Sequence, residues 1–321
     1  MTYSPHRVKP MVEGGILTAV AILFALVSTY VPLIGAFVNL IWPVPIILLG
    51  VRHGYRWSML AAVASGFLIA LLMHPLHAVT VVVGFGLIGI VLGHAFRKEW
   101  SPARALMAGT AASLISKVAV LGIAVAVLGI NPLNQQADAM SRAMAQVMEM
   151  YRSMGIKEAD LAQIETMMRA TLELMKVIFP AGLAMAALLD TCLNYWAAKV
   201  VLRKLGHSIP NLPSFSRWVL PRAVIYALAV AMVMIYWGNS RQLEFLSGAG
   251  VNLMMLSSVA LLVQGLSLFS FFADKYSLSR WVRGILLFLI LTSGPISQGL
   301  IIAGAFELIF DYRRLRKPPV E

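Results

Sequence analysis

Apolar runs of about eighteen residues or more recur along the chain from residue 14 to residue 310, and nothing else limits its possible folds so strongly. Each run is long enough to cross the hydrocarbon core of a bilayer as a helix, and there are too many for one water-soluble core to enclose. Composition agrees, at 60% hydrophobic and 12% charged residues with a mean hydropathy of +0.81. The expected fold is all-α: a polytopic transmembrane helical bundle of about eight spans plus a C-terminal helical hairpin. The spans fall near residues 14–31, 33–51, 57–73, 78–93, 105–130, 177–201, 222–237 and 251–272, with the hairpin at 282–310. The first run lies behind His6, Arg7 and Lys9, and no A-x-A-like cleavage site follows it, so it reads as a retained helix.

Two of these runs carry a charge near the middle. Lys117 sits in 105–130 and Asp190 in 177–201, which places both close to the bilayer midplane. A charge at that depth costs about 2.5 to 3.5 kcal/mol even on lenient scales, so it is expected to face protein or water and to find a partner. Thr110, Ser113 and Lys117 follow one another at helical spacing with Ser116 beside them. Leu183, Ala187, Asp190 and Asn194 do the same on the other run. The two polar stripes define a candidate ligand-binding set of Lys117, Asp190, Asn194, Ser113 and Ser116. The competing expectation is a permanent Lys117–Asp190 bridge that only fixes helix packing.

The remaining charges report topology. The net charge of +12 comes from Lys and Arg at span ends, without a patch or motif that would suit nucleic acid. With the N-terminus inside, 19 of 26 Lys and Arg fall in cytoplasmic segments, and only Arg142, Arg152, Lys157, Arg169, Lys176 and Arg241 lie outside. The C-terminus is inside only if 282–310 is a hairpin broken at Ser293-Gly294-Pro295.

Between the two charged spans lies a polar insert, 133–176, with two helical patterns separated by Gly155. Its mixed charges forbid burial in lipid. Met140, Met144, Met148, Met150, Met154, Met167, Met168 and Met175 recur largely three to four residues apart, with Tyr151 on the same side. The insert is expected to be an amphipathic helical pair resting on the outer bundle face or the lipid interface, or else a Met-lined lid over a lipophilic or metal ligand.

Small residues mark expected close helix packing: Gly15, Ala19, Ala21 and Ala25 in the first span, and Gly86, Gly89 and Gly93 in the fourth. Pro43 and Pro45 remove backbone donors from the second span, which should be kinked or partly unwound against protein or a cavity. His74 and His77 form too small a set for a metal site, and Cys192 alone allows no intrachain disulfide and reads as a packing residue. No HExxH, GxSxG or P-loop occurs, so neither an enzyme nor a cofactor is expected. One division is expected near residue 210, between a six-span unit (1–209) and a linker with C-terminal membrane helices (210–321).

Several stretches resemble the bacterial YybS-like membrane proteins. They are Pro43-Val44-Pro45 with Arg52-His53-Gly54; Tyr151 with Gly155-Ile156; and Leu193-Asn194-Tyr195 followed by Arg203-Lys204-Leu205-Gly206, Pro210, Pro213-Ser214-Phe215, Trp218 and Pro221. The last comprises Ala303-Gly304, Glu307 and Phe310-Asp311-Tyr312-Arg313, where the family more often has Asp at the Glu307 position. The six N-terminal spans are similar to the S subunits of energy-coupling-factor vitamin transporters and, more distantly, to the rod-shape scaffold protein MreD. The long insert departs from S subunits, and spans seven onward have no counterpart there.

The resemblance implies a multi-pass protein of the bacterial cytoplasmic (inner) membrane, with membrane lipid as one partner. The family has no established activity, and it is the pair of midplane charges that motivates the expectation of a transporter-like binding subunit holding an unidentified small molecule between spans five and six. Lys117 would meet an anionic group, Asp190 and Asn194 would orient the ligand, and the insert would act as a gate. S subunits dock coupling subunits through a small-xxx-small face, which here matches Ala21 and Ala25; Gly89 and Gly93 are further helix-packing or partner-docking positions. The alternative it implies is a membrane scaffold or assembly partner of the MreD kind.

Overall fold

The computed structural model describes residues 5–31, 33–73, 75–129, 131–207 and 209–315. Twelve α-helices and one short 3-10 turn make up the regular structure, and no strand occurs among the described residues. The helices are α1 (Pro5–Tyr30), α2 (Ile34–Leu40), α3 (Val44–His53), α4 (Tyr55–Leu72), α5 (Pro75–Arg97), α6 (Pro102–Leu128), α7 (Pro132–Ser153), α8 (Glu158–Lys204), α9 (Ala223–Ser240), α10 (Glu244–Lys275), α11 (Arg280–Thr292) and α12 (Gly294–Phe310). Seven helices among the described residues are long and apolar enough to cross a membrane: α1, α4, α5, α6, α8, α9 and α10.

The other two expected crossings are broken, each where the sequence placed proline. The second span is not one helix: α2 ends at Leu40, Ile41–Pro43 form a turn, and α3 begins at Val44. The C-terminal stretch bends by 100° between α11 and α12 at Ser293, where Gly294 and Pro295 open the second helix. Both breaks follow from the missing proline N–H and from the bias of the preceding residue away from helical backbone.

The insert departs from the expectation of a separate helical pair. Its second half is continuous with the sixth span, since α8 runs 47 residues with Pro180 inside it. At 1.5 Å per residue that is roughly 70 Å, about twice a hydrocarbon core, so its polar first half must project beyond the bilayer. The methionines do not gather on one side: Met144 and Met148 are buried, whereas Met150, Met154, Met167 and Met175 are exposed.

The chain divides into two compact units, residues 1–168 with 182–211, and residues 169–181 with 212–321. In the first, the core is built from α1, α3, α4 and α5, with Ala21, Ala25, Trp42, Ile46, Leu49 and Ile69 enclosed. The Trp42 indole N–H donates to the Ala21 carbonyl at 2.8 Å. Gly93 lets α5 touch α3: a Cβ there would lie 3.0 Å from the Ile47 carbonyl oxygen and 3.2 Å from Gly50 Cα.

In the second unit, α10 packs against α9 and α12. The segment between α8 and α9 is held by its own backbone carbonyls: those of Phe215 at 2.8 Å and Trp218 at 2.9 Å share the single hydroxyl hydrogen of Ser267. Gln264 Oε1 accepts from the Leu220 N–H at 2.9 Å. The aromatic and proline punctuation of that segment thus docks on α10.

Candidate binding site

Lys117 of α6 and Asp190 of α8 meet: the ammonium donates to Asp190 Oδ2. The Lys117 ammonium also lies 5.4 Å from the ring centroid of Phe85 on α5. A cation over an aromatic face gains electrostatic attraction where water is scarce, so Phe85 supports the pair from a third helix. Two turns nearer the N-terminus of α6, a Cβ on Gly109 would come within 2.6 Å of Thr191 Cγ2, the residue after Asp190, which shows how closely α6 and α8 approach.

Asn194 extends the site to the broken second span. Its Nδ2 donates to the Leu40 carbonyl at 2.9 Å and to the carbonyl of Asp190, one turn back on its own helix, at 2.9 Å. Leu40 is the last residue of α2, and the final carbonyls of a helix have no partner within it. Such a group is expensive inside a membrane unless another group reaches it. In the turn before Pro43 the Val44 N–H goes to the Ile41 carbonyl at 3.0 Å in place of that of Leu40, and Asn194 takes up the free acceptor.

Around this pair, five buried polar atoms have no hydrogen-bond partner among the described residues: Asn39 Oδ1, Thr110 Oγ1, Ser113 Oγ, Ser116 Oγ and Asn194 Oδ1. Serine and threonine on a helix commonly bond the carbonyl four residues back. Thr191 does so, to Ala187 at 2.8 Å, and Ser65 does so to Ala61 at 2.7 Å. The three α6 hydroxyls do not. Each buried, unsatisfied group costs about 1 to 3 kcal/mol.

All five candidate ligand-binding residues thus fall on two helices in direct contact, with Lys117, Asp190 and Asn194 linked by hydrogen bonds. Asn39 and the Leu40 carbonyl were not expected members; their signals in the sequence were a polar residue, Asn39, in an apolar span and the proline pair nearby.

The packing residues have a narrower place than expected. Ala21 and Ala25 are wholly enclosed beside Trp42 and Ile46, so they cannot present a docking face to a coupling subunit. The small residues of α1 also split between two faces, because 15 and 19 are not in phase with 21 and 25: Gly15 and Ala19 point outward. Gly89 is a contact within the unit, its Cβ position 3.0 Å from Ile46 Cβ and 3.3 Å from the Pro43 carbonyl oxygen, as Gly93 is against Ile47. Cys192 is exposed on α8 instead of packed, since it lies two positions from both Asp190 and Asn194 and so turns away from the bundle. His74 and the side chain of His77 lie outside the described residues. No group of three or more His, Cys, Asp or Glu that could hold a metal occurs among the described residues.

Seven helices long and apolar enough to cross a membrane, among the described residues, define an integral, multi-pass α-helical membrane protein. Residues 19–308 match the family described as predicted membrane protein (DUF2232), and the chain belongs to that family. It is 24% identical over 310 residues to the uncharacterized protein YybS of Bacillus subtilis (strain 168), covering 96% of this chain and 98% of that one. No solved structure matches the chain.

Proposed function

We propose that the chain is a transporter-like, non-enzymatic binding subunit of the bacterial cytoplasmic membrane. It holds a small polar or anionic molecule at the Lys117–Asp190 site between α6 and α8. The observation that carries this reading is that Ser113, Ser116 and Asn194, on the same two helices as a part-buried ion pair and within a turn of its members, each keep a buried polar atom without a partner. Hydroxyl and amide oxygens beside such a pair are the kind of polar groups that a ligand site sets in an apolar wall. The Lys and Arg distribution supports both termini lying on the cytoplasmic side.

A second reading, a membrane scaffold or assembly partner with cell-envelope proteins as its partners, is favoured by one specific fact: Lys117 already has a full-charge partner in Asp190. The two readings separate on the content of protein purified without added ligand. Small molecules released on denaturation and identified by mass spectrometry should include an anionic compound that the folded Lys117→Met variant lacks. Equal content in the folded variant and the wild type would remove the binding role and leave the scaffold. Crosslinking before purification adds a partner test: ATPase and coupling subunits favour transport, and cell-envelope proteins favour scaffolding.

A further inference from the structure

The turn between α3 and α4 and the end of α5 enclose a cleft of about 320 Å³, distinct from the Lys117 site and independent of its reading. His53, Tyr55, Arg56, His94, Arg97 and Lys98 line it. No carboxylate is among its lining residues. Glu13, which reaches the lining residue His53, is shared with Arg52: its Oε2 pairs with Arg52 Nη1 at 3.1 Å and with His53 Nε2 at 2.9 Å. Arg56, Arg97 and Lys98 have no ion-pair partner among the described residues.

The backbone shapes this cleft for a bulky anion. Gly54 adopts φ +98, a conformation that side-chain-bearing residues rarely take, and so turns the chain sharply from α3 into α4. A Cβ there would lie 2.9 Å from Arg97 Nη1, so the missing side chain leaves room for that guanidinium beside the start of α4. The first N–H groups of α4 and its dipole also favour negative charge at this point. Aromatic groups complete the rim: Tyr55 meets His94 edge-on at 6.2 Å, and His94 meets Trp100 at 5.7 Å.

The cleft is placed where charged headgroups lie. Tyr55 begins one apolar crossing and Arg97 ends another. Arginines clustered at span ends, with a ring of aromatics, recognise phosphate through paired N–H donors. We propose that this cleft is a phosphate-binding site, occupied by the headgroup of an anionic phospholipid or by the phosphate of a soluble compound.

The test titrates full-length protein in detergent with cardiolipin, read by native mass spectrometry, and separately with inorganic pyrophosphate, read by thermal unfolding. Wild type is compared with Arg56→Gln/Lys98→Gln, with Arg97→Gln, and with Arg142→Gln/Arg152→Gln as a charge-matched control on α7. The cleft variants should weaken one probe by about tenfold or more while the control stays near wild type. Loss confined to cardiolipin assigns a lipid headgroup; loss confined to pyrophosphate assigns a soluble phosphate. The exposed pair Arg56 and Lys98 keeps the test valid if Arg97→Gln fails to fold. Equal binding of both probes by the folded cleft variants, or binding of neither by the wild type, overturns the proposal.

Discussion

Arg313 donates from Nε to Glu307 Oε1 at 2.7 Å, and neither side chain reaches solvent. The same guanidinium donates from Nη1 to the Ser216 carbonyl at 2.7 Å and to Ser267 Oγ at 2.9 Å, and from Nη2 to the Trp218 carbonyl at 3.0 Å. One side chain thus joins the residues after α12, the face of α10 and the 3-10 turn at Phe215–Arg217. A planar fork with five donors can do this, and a lysine cannot.

Arg313→Met should therefore leave Glu307 as an unpaired buried charge and cost roughly 3 to 5 kcal/mol. Arg313→Lys should keep the charge but lose the fork, with an intermediate cost. Glu307→Asp, shorter by one methylene, should be the mildest of the three. Thermal unfolding of detergent-purified protein checks the order, and an Arg313→Met variant within about 1 kcal/mol of wild type would refute it.

Lys117 and Asp190 should show strong mutual dependence. Lys117→Met and Asp190→Leu each strand one charge near the midplane, so each single change should destabilise by roughly 3 to 5 kcal/mol. The double variant strands none and should recover most of that loss. A double-mutant cycle by chemical denaturation measures the coupling; costs that simply add would mean that the two side chains do not support each other.

The charged site was legible because ionisable residues stand out in apolar runs and because spacing of three and four puts Ser113, Ser116, Lys117, Asp190 and Asn194 on helix faces. The acceptor that Asn194 uses was not legible, since every residue carries the same carbonyl and only the break at Pro43 frees that of Leu40. Arg313 was misleading for a related reason. By position it counts among the basic residues that mark the cytoplasmic side, yet its guanidinium is spent on internal acceptors. The breaks at Pro43 and at Ser293-Gly294-Pro295 were readable from local backbone chemistry. The continuity of α8 was not, because a polarity change at residue 177 says where water ends and nothing about whether the helix does.

Gly93 should tolerate no side chain without a shift of α3 against α5. A Cβ at 3.0 Å from the Ile47 carbonyl oxygen is tighter than ordinary contact, and Gly50 Cα stands behind it. Gly93→Val should cost roughly 1 to 3 kcal/mol, as overpacking does in a filled interior. Gly15→Val, at a position with nothing within 4 Å, is the control and should change little. Unfolding temperatures of the two variants, side by side, decide the matter: similar losses at both sites would show that the α3–α5 approach is not what Gly93 protects.

Asn252 of α10 occupies both ends of one helical rung in α8. Its Oδ1 accepts from the Ala181 N–H at 2.8 Å, and its Nδ2 donates to the Val177 carbonyl at 2.7 Å and to its own Gly248 carbonyl at 2.8 Å. Residues 177 and 181 are the acceptor and donor of one i to i−4 hydrogen bond, and Pro180, just before Ala181, lacks the N–H of the preceding rung. A side-chain amide inserted there is one of the recognised ways a helix accommodates proline without unwinding. Asn252→Leu should remove three hydrogen bonds and cost roughly 2 to 3 kcal/mol. Pro180→Ala should restore the missing donor and offset part of that loss in the double variant. Hydrogen exchange localises the effect. Amides around Ala181 should exchange faster in Asn252→Leu, while those around Lys117 keep their protection. Unchanged exchange at Ala181 would mean that α8 holds its own rung and that Asn252 serves only to seat α10 against it.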